Sequence, residues 1–241
     1  MTGETYLSAN EVGKTYGDVT ALSDVSLDVP ADAVTGLIGP NGSGKTTLLR
    51  VLLGLERPTG GTVEYGGPDA VRRLGYLPQR PTFRPGFTVR ETIGFYADLV
   101  DDDPDRLLER VGLGDVADRP VDGLSGGMTR LLGIAQALAG DPPVVVLDEP
   151  ASGLDPAMSE LIFDVVASIA DEGRAVALSS HELALVERTA DRLAVLESGA
   201  VVTVDTPQAL RERTGGPLHE TFTSLLERES AVVTATEVGD A

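Results

Sequence analysis

The 241-residue chain contains no cysteine and no tryptophan. Without cysteine it has neither disulfides nor thiolate metal sites, which fits a reducing compartment. Lysine is almost missing too: of the 19 basic residues only Lys14 and Lys45 are lysines, and the other 17 are arginines. No apolar run approaches the roughly 18 to 20 residues of a membrane span. The first residues, MTGETYLSAN, show no basic region followed by an apolar one, so no secretory signal is expected. These absences predict a cytosolic or peripheral protein.

Basic clusters are also lacking. Against 19 basic residues stand 38 acidic ones, a net charge of −19. Such a chain repels nucleic acid and anionic lipid, so no nucleic-acid partner is expected. The charge suits a host with molar internal salt, where self-repulsion is screened; codon bias towards arginine in a merely acidic protein is the alternative. Hydrophobic residues make up 41% of the chain, enough for an ordinary globular core.

The organisation is that of strands interrupted by helices. The N-terminal third reads as short strands joined by turns, with Val34–Gly39 as a buried strand. A glycine-rich turn precedes a helix over Thr46–Leu53, and strands are predicted near Thr62–Tyr65 and Leu74–Leu77. From about Thr88 to Ala139 the pattern is helical, opening on a Thr88/Glu91 capping box and resuming at Asp103-Pro104. Apolar strands return at Pro143–Asp148, Ala175–Ser179 and Leu193–Leu196. Asp155-Pro156 and Thr206-Pro207 start helices, which Gly173 and Gly215-Gly216 end. The expected class is α/β with parallel strands and a helical insert.

Residues Gly39 to Thr46 read GPNGSGKT, matching G-x-x-x-x-G-K-[ST]. Glycines let the backbone N–H groups of Asn41, Gly42, Ser43 and Gly44 wrap a phosphate. Lys45 reaches β and γ phosphates, the Thr46 hydroxyl ligates Mg²⁺ beside Thr47, and the following helix adds its positive end. A lysine here, in a chain that otherwise uses arginine, fits a site needing a compact ammonium. Asp148 and Glu149 end the apolar strand VVVLD, at the sheet edge where open α/β sheets bind ligands. Asp148 is expected to hold Mg²⁺ and Glu149 to polarise an attacking water; a pair of solvated loop acids is the plainer reading of these two residues alone.

Between these motifs lies Leu124-Ser125-Gly126-Gly127-Met128, which resembles the LSGGQ signature of ABC ATPases. The resemblance runs from about Tyr6 to Thr214, and it implies further roles. Tyr16 is similar to the aromatic that stacks on adenine, and Gln79 to the residue linking metal and water to a membrane partner. Asp155, in Ser152-Gly-Leu-Asp155, is similar to the D-loop aspartate, and His181 to the histidine that contacts the γ phosphate. Lone histidines are more often satisfied polar residues, but His181 follows a strand at the right edge. Ser125, Gly126 and Gly127 would bind phosphate across a dimer from a helix N-terminus.

The resemblance implies a P-loop NTPase (RecA-like) core, about 1–87 and 141–215, with an N-terminal antiparallel β subdomain and an inserted helical subdomain over about 88–140. A C-terminal helix and flexible tail would follow over 216–241. It implies an ATP hydrolase using ATP and Mg²⁺, a head-to-tail ATP-sandwich homodimer, and an integral membrane permease as partner at the cytoplasmic face of the membrane. Met128 stands where the family has glutamine, which puts ribose-side hydrogen bonds in question. The Gly-Met and Ala-Gln136-Ala-Leu features resemble export-type cassettes, including copper-processing ones tied to nitrous oxide reductase maturation. The rivals are a soluble ABC ATPase acting on DNA or ribosomes, and a nucleotide-binding regulator without turnover.

The charge surplus makes one expectation testable directly. Thermal unfolding followed by circular dichroism should shift upward as KCl rises from about 0.1 to about 2 M. A midpoint that stays level or falls would leave codon bias as the explanation.

Overall fold

The computed structural model describes residues 4–214, and the expected 216–241 segment and Gly215-Gly216 helix stop lie outside them. In chain order the elements are β1 (Thr5–Tyr16), β2 (Val19–Pro30), β3 (Ala33–Ile38), α1 (Lys45–Leu52), β4 (Gly60–Tyr65) and β5 (Leu74–Leu77). Three helices follow, α2 (Val89–Asp98), α3 (Pro104–Arg110) and α4 (Gly126–Leu138). The chain then alternates through β6 (Val144–Asp148), α5 (Pro156–Asp171), β7 (Ala175–Ser179) and α6 (Leu183–Thr189) to β8 (Arg192–Glu197), β9 (Ala200–Asp205) and α7 (Pro207–Thr214).

Two sheets form. One is antiparallel in the order β2-β1-β4. The other has the order β5-β6-β7-β3-β8-β9, parallel except for β9. The N-terminal strands are long, 12 residues each, where short ones were expected. The reason is local: Glu11 and Asp24 have left-handed φ of 49° and 53°, and pairing shifts register beside them. These bulges break the alternation that marks a long strand. Gly61, φ 74°, is pressed against the Glu11 bulge, so a Cβ there would lie 2.2 Å from the Glu11 carbonyl oxygen.

The large sheet is covered on both faces, which is why β3, β6 and β7 are mostly apolar with every residue buried. Val144 and Val146 face the antiparallel sheet and α1, packing with Leu22, Val25 and Leu48. Val145 and Leu147 face the opposite core with Phe163, Ile162 and Leu132. Alternate residues of one strand thus serve two cores.

Helix ends follow the sequence signals. Thr88 Oγ1 accepts from the Glu91 N–H at 3.1 Å while Glu91 Oε2 accepts from the Thr88 N–H at 2.8 Å, completing the capping box. Asp103 and Asp155 cap α3 and α5, each followed by proline at the first helical position. The α2–α4 helices are tied to the sheet core by a mesh of charges, in which Arg110 of α3 and the buried Arg174 both pair with Asp141 and Glu172.

Helix and sheet backbones come close at Gly75 of β5. A Cβ there would lie 2.1 Å from the Ala137 carbonyl oxygen of α4. Gly75→Ala should therefore destabilise the protein by about 1–3 kcal/mol through overpacking. Urea unfolding measures this, and an unchanged midpoint would show that β5 and α4 can separate freely.

Candidate functional site

Parallel strands aim their carboxyl ends at one edge, and the order β5-β6-β7-β3 sets four of those ends side by side. β3 leads into the glycine-rich loop, β6 into Asp148 and Glu149, β7 into His181, and β5 into Gln79. A cleft of about 310 Å³ opens there, formed by residues 41–47 with Ala21, Gln79 and Glu149.

The loop is shaped by close backbone packing. A Cβ on Gly39 would lie 2.2 Å from the Leu196 carbonyl oxygen, and Gly44 combines φ 103° with a Cβ position 2.7 Å from the Ala21 carbonyl oxygen. Both positions demand glycine. Lys45 is buried, and its Nζ donates to the carbonyls of Gly39 at 2.7 Å and Pro40 at 3.1 Å. Burial pulls the Lys45 pKa below its ordinary value, against the opposing pull of Glu149 and Asp148. The ammonium is thus anchored at the cleft wall with acids behind it.

Asp148 is buried behind Thr46. Its Oδ1 accepts from Thr46 Oγ1 at 3.1 Å and from Ser179 Oγ at 2.7 Å. Its Oδ2 is buried with no hydrogen-bond partner. A buried carboxylate oxygen without a donor asks for a cation or a water held by one. Thr46, Asp148 and the nearby Gln79 therefore fit a Mg²⁺ ion that takes its remaining ligands from phosphate and water.

Glu149 stands next in line with an unusual backbone, φ 50°. Its N–H donates to both the carbonyl and the Oγ of Ser179, at 3.1 and 2.9 Å. Its Oε2 accepts from His181 Nδ1 at 2.7 Å. Tyr16 sits at the rim, 46% exposed, with its phenol near Thr47.

The ABC transporter family model matches residues 22–152. A Nod factor export ATP-binding protein I of Burkholderia lata is 40% identical over 215 residues, covering 83% of this chain and 71% of that protein. The chain belongs to the ABC transporter family. A daunorubicin resistance ATP-binding protein of Streptomyces coeruleorubidus is 36% identical over 227 residues, 88% of this chain and 72% of that one. Among solved structures, an ATP-binding subunit of an ABC transporter aligns with TM-score 0.81 at 26% identity, over 92% of this chain and all of that one. A dimeric ATP-binding cassette in a post-hydrolysis state with ADP and phosphate aligns with TM-score 0.73 at 25% identity, over 83% of this chain and 98% of that one. The chain is an ABC-type ATPase with the P-loop NTPase fold, its antiparallel sheet and its helical insert as expected.

Not every expected residue reaches the cleft of this ABC cassette. Ser125, Gly126, Gly127 and Asp155 form a second group. Ser125 caps α4, its Oγ accepting from the Met128 N–H at 3.2 Å, and Asp155 caps α5, accepting from the Met158 N–H at 3.1 Å. Gly127 abuts Met158, which would lie 2.3 Å from a Cβ there. Met128 packs against the core rather than facing outward as a hydrogen-bonding glutamine would. Three residues that the motifs did not single out belong to the site. Ala21 lines the cleft, Ser179 joins Asp148 to Glu149, and Arg130 of α4 donates to the Pro78 and Gln79 carbonyls. Ser179 had a signal, a hydroxyl closing an otherwise apolar strand.

Removing that hydroxyl leaves the Asp148 and Glu149 ends joined only by their other partners. Ser179→Ala should lower unfolding free energy by about 1–2 kcal/mol, read from urea denaturation without nucleotide. A cost near zero would mean that the hydroxyl bonds carry no weight in the folded state.

Proposed function

We propose that this ABC-type ATPase is the energy-supplying subunit of an exporter, working as a head-to-tail dimer on a separate membrane permease at the cytoplasmic face of the membrane. The observation that carries the chemical part is the continuous hydrogen-bonded run Thr46–Asp148–Ser179–Glu149–His181 facing the phosphate loop. Lys45 and the N–H groups of residues 41–47 bind the ATP phosphates, and Tyr16 stacks on adenine. Thr46, Asp148 and Gln79 would hold Mg²⁺, which would supply neutralisation of the phosphate charge.

Glu149 accepts the proton of the attacking water as its oxygen bonds to the γ phosphorus. The bond from that phosphorus to the bridging oxygen breaks, giving ADP and phosphate. His181 holds the Glu149 carboxylate on one side and reaches the γ phosphate on the other. Ser125 and the α4 N-terminus lie away from their own chain's cleft, so their phosphate contact is to ATP held by a second copy. ATP then binds the closed dimer better than the open pair and closes it. Asp155, beside that N-terminus, belongs to the same dimer surface.

The permease-facing surface is the outer side of the helical insert. Phe83, Phe87, Phe95 and Tyr96 line a groove of about 190 Å³ with Arg84 and Glu91, and Phe95 is 63% exposed. This groove follows the Gln79 loop in sequence, and Arg130 ties that loop to the signature helix. Motion at the nucleotide therefore has a short mechanical route to the groove. The Nod factor export named for one relative supports export. The copper-processing likeness has no counterpart in either relative's name. No helix among the described residues is long and apolar enough to cross a membrane.

Glu149→Gln keeps the side chain's shape and removes the proton acceptor. It should lower turnover by at least about a hundredfold and accumulate an ATP-bound dimer on light scattering. A monomeric variant in saturating ATP would sink the dimer mechanism. Purification of the wild type from native membranes should also bring down a multi-span protein; a ribosome or repair complex in its place would favour the soluble alternative.

A further inference from the structure

Tyr16 ends β1 with nearly half its surface exposed, a poor situation for a residue that must present a flat face at a fixed height. An exposed tyrosine rotates freely about its side-chain bonds unless its hydroxyl is tied down. Here it is tied. The phenol O–H donates to Glu56 Oε2, and Glu56 sits in the turn that follows α1.

Glu56 is otherwise placed as a bridge. Lys14 Nζ lies 3.5 Å from its Oε2, and Arg50 Nη1 of α1 lies 3.6 Å from its Oε1. One carboxylate oxygen therefore serves β1 and the other serves α1, the helix whose first residue is Lys45. Lys14 also donates to the Arg57 carbonyl at 2.8 Å and lies 4.9 Å from the Tyr16 ring centroid. With the ammonium over one face of the ring, the opposite face is left for a base. The pairing is mutual: the hydrogen bond to Tyr16 holds the Glu56 carboxyl below its ordinary range, and the same bond pushes the Tyr16 phenol up.

We propose that Glu56 is a positioning residue for the nucleotide base: it clamps Tyr16 to the phosphate-loop helix, so that the spacing between base platform and phosphate cradle is set by one carboxylate. This rests on the reading of Tyr16 as the platform for adenine. Glu56, Lys14 and Arg50 all lie outside the lining of the phosphate-loop cleft, so the effect expected of the clamp is on the base.

The test is calorimetric binding of ATP, ADP and inorganic tripolyphosphate to the full chain in EDTA. Tyr16→Ala, Tyr16→Phe and Glu56→Ala should each weaken both nucleotides, the last two by about fivefold, the loss of one modest hydrogen-bonded tie. The double variant Tyr16→Phe/Glu56→Ala should be no weaker than Glu56→Ala alone, because Glu56→Ala already removes the bond that Tyr16→Phe removes. Glu56→Gln, which still offers an acceptor, should recover most of the affinity. Tripolyphosphate should bind every variant like wild type. Additive losses in the double variant, or a matching loss for tripolyphosphate, would overturn the clamp. If Tyr16→Ala weakens binding and the other two do not, the clamp fails while Tyr16 remains the platform. If Tyr16→Ala changes nothing, the platform reading itself fails.

Discussion

A carboxylate with no access to water is costly unless its oxygens are satisfied, and the active edge of this protein is arranged around one, Asp148. Its Oδ1 is served by hydroxyls from two different elements, Thr46 at the start of α1 and Ser179 at the end of β7. These donors arrive only if β6 and β7 pair in the register that sets Asp148 opposite Ser179. A slip of one residue would turn every side chain of the strand to the other face and leave the carboxylate bare. Sheet register, helix position and site chemistry are therefore one constraint. The Oδ2 oxygen has no hydrogen-bond partner within the protein, so a donor or cation brought by a ligand would complete the set.

Glu149 shows how strain is used beside that anchor. A glutamate with φ 50° sits in a sparsely populated region, at a cost on the order of 1 kcal/mol or more. Two acceptors on Ser179 hold its N–H in place, and the turn they enforce points the side chain into the cleft instead of along the strand. Ser179 thus serves both acids, Asp148 through its hydroxyl proton and Glu149 through its oxygen lone pairs. His181, two residues further along the same chain, meets the Glu149 carboxylate from the other side. One buried serine is thus bonded to both neighbouring acids.

The sequence carried most of this in motifs that are local in the chain. A glycine loop, an apolar strand ending in two acids and a strand ending in histidine each read directly, since their chemistry needs neighbouring residues. The helix caps at Thr88, Asp103 and Asp155 read for the same reason. What did not read depends on contacts between distant segments. The order β5-β6-β7-β3 is not written in any one strand, yet it is what gathers Gln79, Glu149, His181 and Lys45. The bulges at Glu11 and Asp24 hid the length of β1 and β2 by breaking their alternation. Arg130 and Ala21 looked like ordinary helix and strand residues, because their importance comes from the loops they face.

The use of cations separates the site from the scaffold. Arginines do the bridging in the scaffold: Arg174 and Arg110 each reach both Asp141 and Glu172, and Arg90 reaches Asp105 and Asp118. A planar fork suits such two-way pairing, and an acidic surface supplies partners for it. Both of the chain's lysines stand elsewhere, Lys45 in the cleft wall and Lys14 beside Tyr16. Lys45 fits its ammonium between two loop carbonyls in a buried wall, and Lys14 fits its own among a carbonyl, a carboxylate and the face of a ring. In each of these settings one ammonium meets partners in different directions, which suits a compact charge with three donors. In a chain that otherwise replaces lysine by arginine, the two positions where lysine stays are those where shape as well as charge is required.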